Sequence, residues 1–137
     1  IGGMFDYEKR TMHVDGATGM GKVPNPMRKV KRTPGRPYPA RDTMEFDPAH
    51  VYAHELGHAL DLVVGSDGHH YAWSKTPAWR EAWMTEINLS NTPLSKYAKY
   101  DQVEGFAEFA RLALFNPDIA SKEFPKCWEA WKDIGYA

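Results

Sequence analysis

Two histidines four residues apart with a glutamate between them, in His54-Glu55-Leu56-Gly57-His58, form the pattern that holds a catalytic zinc ion beside a general base. On a helix, positions 54 and 58 lie one turn apart on the same side, so both imidazoles reach one ion. Glu55, one step further round, faces water held at that ion and takes its proton. A catalytic zinc usually keeps three protein ligands and leaves one position to water, so a third ligand must come from elsewhere in the chain. The continuation HxxGxxH does not supply it, because Asp61 stands where its glycine belongs and Val64 where its ligand belongs. Two histidines and a glutamate at this spacing on a solvated helix face would be the bland alternative.

The segment from Tyr97 to Glu108 offers a carboxylate instead. Val103, Phe106, Ala107, Ala110 and Leu114 recur at helical spacing and Asn116-Pro117 ends the run, which predicts a helix over 101–115. Glu104 and Glu108 stack one turn apart on its polar side. Glu104 is the candidate third ligand, and Glu108 is placed to hydrogen-bond a ligand histidine and fix its tautomer. The competing reading of the pair is a solvated carboxylate couple on a surface helix.

HELGHALD at 54–61, followed by a tyrosine seven residues before the first glutamate of the ExFAE segment at 104–108, resembles the gluzincin metallopeptidases that include the catalytic domain of anthrax lethal factor and the Pro-Pro endopeptidases. The resemblance spans residues 47 to 115, and its joint spacing is more specific than the five-residue motif alone. It implies a zinc-dependent endopeptidase acting on a peptide or protein substrate, with Zn2+ held by His54, His58 and Glu104. It further implies that Glu55 is the general base and that Tyr97 steadies the oxyanion; Asp61 matches an aspartate found at that place and is a candidate to support the ligands by hydrogen bonding, the alternative being a carboxylate that bonds backbone or meets water. Zinc brings the pKa of its water to about 7 and polarises the scissile carbonyl. Glu55 then shuttles a proton to the leaving amine, and a tyrosine donor to the oxyanion is worth roughly 3 kcal/mol. Tyr100 competes with Tyr97 for that role. His69 and His70, in the loop after Gly65-Ser66-Asp67-Gly68, read as solvated histidines. The family's specificity-setting loops fall outside the matched stretch, so the resemblance does not extend to a substrate sequence.

The elements that position these groups follow from start and stop signals. Asp47-Pro48 reads as a cap and first turn, and Gly65 as a stop, giving a helix over 48–64. Tyr52, Leu56, Ala59, Leu60 and Val63 share its apolar stripe, which is expected to face the core, with His54, His58 and Asp61 opposite. Thr76-Pro77 starts a helix bearing Trp79 and Trp83, and Pro125 a terminal helix bearing Trp128 and Trp131, with the tryptophans as core. Gly3 to Tyr7 and Thr11 to Val14 read as a hairpin around Glu8-Lys9-Arg10. Its edge is a candidate place for the substrate backbone to add, the alternative being a small sheet that covers the helix. The predicted fold is therefore α+β: a small zincin-like domain, mostly helical, with an N-terminal hairpin or small sheet beside the active-site helix.

A chain of 137 residues suits one domain, 1–137, whether whole or excised from a larger protein. From Gly16 to Arg41 there are seven basic residues, five prolines and no acidic residue, a composition that favours an extended solvated loop over helix or strand. Such a loop would serve as a plain connection, as a rim for acidic substrate or as a nucleic-acid contact, and the net charge of −1 argues against nucleic acid as the main partner. No run approaches the length of a membrane span. The single cysteine, Cys127, excludes an internal disulfide and reads as packing beside Trp128. The resembled family is largely secreted, and phage particles carry such domains too, so the compartment stays open. Two alternatives to an active peptidase remain: a zincin-fold binding or structural module of a secreted or phage-particle protein without turnover, and a latent peptidase whose 22–41 loop lies in the cleft, which deletion of that loop would activate.

Overall fold

The computed structural model describes residues 3–6, 11–14, 48–90, 94–95 and 97–136, with side chains from residue 51 onward. Among these, four helices open on a proline, whose fixed φ and missing N–H suit the first helical position. They are α1 (Pro48–Asp61), α2 (Pro77–Trp83), α4 (Pro117–Glu123) and α5 (Pro125–Asp133). The helix α3 (Gln102–Phe115) starts instead behind Asp101, whose carboxylate accepts from the Glu104 N–H at 2.7 Å. Asn116 serves two helices, because its N–H donates to Leu112 at the end of α3 while its side chain accepts from Ile119 at the start of α4. The first turn of α5 has no cap of its own. Glu86, in the π-helical turn Met84–Asn88 that follows α2, accepts from the Lys126 and Cys127 N–H groups at 3.0 and 2.7 Å.

Four short strands form two antiparallel pairs: β1 (Gly3–Asp6) with β2 (Thr11–Val14), and β3 (Leu62–Val64) with β4 (His70–Ala72). The N-terminal hairpin thus matches its sequence signals, in the register Gly3↔Val14 to Asp6↔Thr11, and lies against α1. The described chain is α+β and mostly helical. No helix of the described residues is long and apolar enough to cross a membrane. The Asp47 cap and the basic 22–41 segment lie outside the described residues.

At the centre runs α3, buried from Gly105 to Ala113. Phe106 and Phe109 meet Trp79 of α2 at ring distances of 5.1 and 5.7 Å, and Phe109 also packs on Phe124 and on Trp131 of α5. Each such side chain contributes about 1.5–3 kcal/mol by leaving water. Trp79, Trp83 and Trp131 are core as expected, and Trp128 packs against that core half-buried. Cys127 is fully buried, which pushes its thiol well up and leaves it a packing residue.

Two expectations for α1 are corrected. The helix stops at Asp61 and not at Val64, because Leu62, Val63 and Val64 leave it to pair with Ala72, Tyr71 and His70. The β-branched valines suit a strand, and Gly68, at φ +79°, helps close the turn between β3 and β4. The buried face is also the opposite one. Tyr52 is exposed and Leu56, Ala59, Leu60 and Val63 are only partly covered, whereas Val51, Ala53, His54, Glu55, Gly57, His58 and Asp61 are buried.

Candidate metal centre

Gly57 sets how closely α1 approaches α3. A Cβ there would stand 2.8 Å from Ala107 Cα and 2.9 Å from its carbonyl oxygen, so a hydrogen at this position lets the two backbones touch. Across that contact His54 and His58 of α1 meet Glu104 of α3. The Nε2 atoms of His54 and His58 lie 3.0 and 3.2 Å from Glu104 Oε2, and one ligand atom from each of the three residues falls within 4.8 Å of the others. Both imidazoles are buried, while Glu104 keeps partial contact with solvent.

On the far side of His54, its Nδ1 lies 2.8 Å from Glu108 Oε2. A neutral imidazole that donates from Nδ1 carries a lone pair on Nε2, and that lone pair then faces the Glu104 carboxylate. Glu104 Oε2 is buried and makes no hydrogen bond, although two ring nitrogens stand near it. The distances are those of an ion pair and the angles are not those of a hydrogen bond. Acceptors facing one another at this range need a cation or a proton between them. Two imidazole nitrogens and a carboxylate oxygen are a donor set that suits zinc, so the residues fit the group that the motif implies.

The charges respond accordingly. Burial alone would lower the pKa of His54, but the carboxylates of Glu104 and Glu108 outweigh it and hold the ring at about 8. Burial would raise Glu104, yet the two imidazoles bring it to about 2. Glu108 is fully buried and is still held far below the usual carboxylate range, because Arg111, His54 and Ser95 more than offset the burial. Without metal, the His54 contribution to stability is complete below the ordinary value of 6.5 and is lost as the pH rises through 8; that of Glu104 is complete above 4.5 and is lost as the pH falls through 2. Chelated protein is therefore expected to melt highest between pH 4.5 and 6.5 and to lose about 2 kcal/mol towards pH 9 from His54 alone. A melting temperature that stays flat from pH 6 upward would show that His54 takes up no extra proton on folding.

Tyr97 lies in the 3-10 turn Tyr97–Lys99 with its ring 5.6 Å from that of His54, whereas Tyr100 stacks on the outer side of Tyr97 and is 77% exposed. Glu55, next to His54 in the chain, is buried to 5% exposure. Asp61 is buried too, and its carboxylate accepts from the Ser74 N–H at 2.7 Å and the Ser74 hydroxyl at 2.6 Å. Burial raises its pKa despite those bonds. His69 and His70 are exposed, and His69 pairs with Asp67 at 3.1 Å. Sequence reasoning missed Ser95 and Arg111, which both hold Glu108 Oε1 at 2.8 Å. Arg111, one turn after Glu108, had the spacing to be noticed. Ser95 carried no local signal.

Comparison of the chain with protein-family models, with curated proteins and with solved structures returned no match.

Proposed function

We propose that this chain is a zinc-dependent endopeptidase of zincin-like fold, with His54, His58 and Glu104 as the ligands. The observation that carries the reading is the convergence of these three ligand atoms from two helices, with Glu104 Oε2 buried and unbonded at the meeting point. A zinc ion held there supplies Lewis acidity toward a carbonyl and makes water acidic enough to ionise near neutral pH.

The chain's own groups do the rest. Glu108 keeps the proton of His54 on Nδ1 and so turns the Nε2 lone pair to the centre. Glu55 accepts the proton of the attacking water and returns it to the leaving nitrogen. The Tyr97 phenol donates to the oxygen that becomes anionic as the carbonyl turns tetrahedral, where its contribution is greatest. The β1–β2 hairpin beside α1 offers backbone groups to an extended peptide.

The test is a diverse peptide library, with proline-rich and acidic members, read by mass spectrometry. Zinc-loaded protein is expected to cut a subset of peptides, to stop on chelation and to resume when zinc is restored. A protein that binds one zinc and cuts nothing would overturn the peptidase reading and leave a metal-binding module; one that binds no zinc would overturn the metal centre itself.

A further inference from the structure

We infer that Ser95 is a positioning residue that ties the turn carrying Tyr97 to the carboxylate that orients His54, an inference that rests on the peptidase reading for its catalytic consequence. Ala98, next to Tyr97, is fully buried and held from both sides. Its carbonyl accepts from the Trp83 indole N–H at 2.8 Å, and its N–H donates to Ser95 Oγ at 3.1 Å. Trp83 reaches that carbonyl only because position 105 is glycine; a Cβ there would collide with the indole.

Ser95 is 1% exposed, so its hydroxyl must find its partners inside the protein. A hydroxyl has one proton to give, and this one goes to Glu108 Oε1 at 2.8 Å, which leaves a lone pair for the Ala98 N–H. Glu108 divides its two oxygens: Oε1 receives Ser95 and Arg111, and Oε2 receives His54. The bonds form one continuous chain that converges on Glu108: the Ala98 amide donates to the Ser95 hydroxyl, the hydroxyl donates to the carboxylate, and the His54 ring donates to the same carboxylate from the other side. The two ends of that chain carry the tyrosine and the first histidine, whose rings lie 5.6 Å apart. Glu108 thus fixes the phenol relative to the ligands as well as the tautomer of His54. No ligand atom belongs to Ser95, and without it Glu108 still holds Arg111 and His54, so its loss leaves the metal donors in place and loosens the turn.

Three measurements on the intact chain test this: zinc stoichiometry by metal analysis, amide exchange at Ala98, and kcat and KM on a cleaved peptide. Ser95→Ala is expected to bind one zinc like the wild type, to exchange the Ala98 amide about tenfold faster with or without zinc, and to lose roughly ten- to hundredfold in kcat at nearly constant KM. Ser95→Thr, which keeps the hydroxyl, is expected to restore both exchange and kcat. Ser95→Cys fills the serine's space with a much weaker donor and supplies the same reading if the alanine variant does not fold. Unchanged exchange at Ala98 in a folded Ser95→Ala or Ser95→Cys protein overturns the inference, and so does a threonine variant that behaves like alanine. If the wild type cleaves nothing, the peptidase reading has failed, and the exchange data still decide whether Ser95 holds the turn.

Discussion

Replacement of Glu55 by alanine is expected to lower kcat for peptide cleavage by about 10²–10⁴-fold while zinc stays bound one to one. The separation follows from where the side chain sits. Glu55 adjoins His54 and is buried, yet no described residue hydrogen-bonds its carboxylate. Removing it therefore orphans no donor, and the melting temperature should stay close to that of the wild type. A proton shuttle lost without a structural bond produces a defect in kcat and not in KM. Metal analysis and steady-state kinetics on the same preparation check this. Loss of zinc together with activity would make Glu55 a ligand, and full activity would place the base on another residue.

The second large effect is expected at Glu108. Glu108→Ala strips the partner from the His54 Nδ1–H, the Ser95 hydroxyl and the Arg111 guanidinium, and Arg111 is itself only 1% exposed. Breaking a buried charge pair from one side costs about 3–5 kcal/mol, because the remaining charge loses the carboxylate that offsets its burial. For a chain of this size that corresponds to a fall in Tm of roughly 10–20 °C. Zinc affinity should drop a further 10–100-fold as the ring loses its orienting carboxylate, by the usual effect of removing such a partner and roughly in that range. Glu108→Gln separates the two effects. Its carbonyl oxygen goes to Arg111 and Ser95, which need an acceptor, so its amide N–H faces His54 Nδ1. That forces the other tautomer and puts a proton on Nε2. The glutamine variant should therefore be the more stable of the two and yet bind zinc poorly. Thermal melts and zinc titration of both variants, if indistinguishable from wild type, would remove Glu108 from the site.

How much of this the sequence revealed depended on how local each signal was. Thr76-Pro77, Asn116-Pro117 and Pro125 act within a turn of the backbone they punctuate, and the helices begin or end where these residues stand. The histidine pair and Glu104 were legible because a helical period puts chemistry at fixed offsets. The end of α1 was not, since Leu62 to Val64 continue a helical pattern until a strand at His70–Ala72 competes for them. The buried face of α1 was inverted for a different reason. An apolar stripe predicts the core only when the polar side has nothing to gain from burial. Here His54 meets two carboxylates and Asp61 meets Ser74, so the polar side is satisfied inside and Tyr52 is left in water. Ser95 lies 13 residues from Glu108 in sequence, and only the folded chain brings them together.

The cap that Glu86 lends to α5 says something about autonomy. A nine-residue helix is too short to hold its shape alone in water, and the acceptor for two of its first amides sits about 40 residues upstream. The segment 125–133 is thus a conditional helix, whose order is borrowed from the turn after α2. Anything that displaces that turn unseats Trp131 as well, and with it the floor on which Phe106 and Phe109 of the glutamate-bearing helix rest.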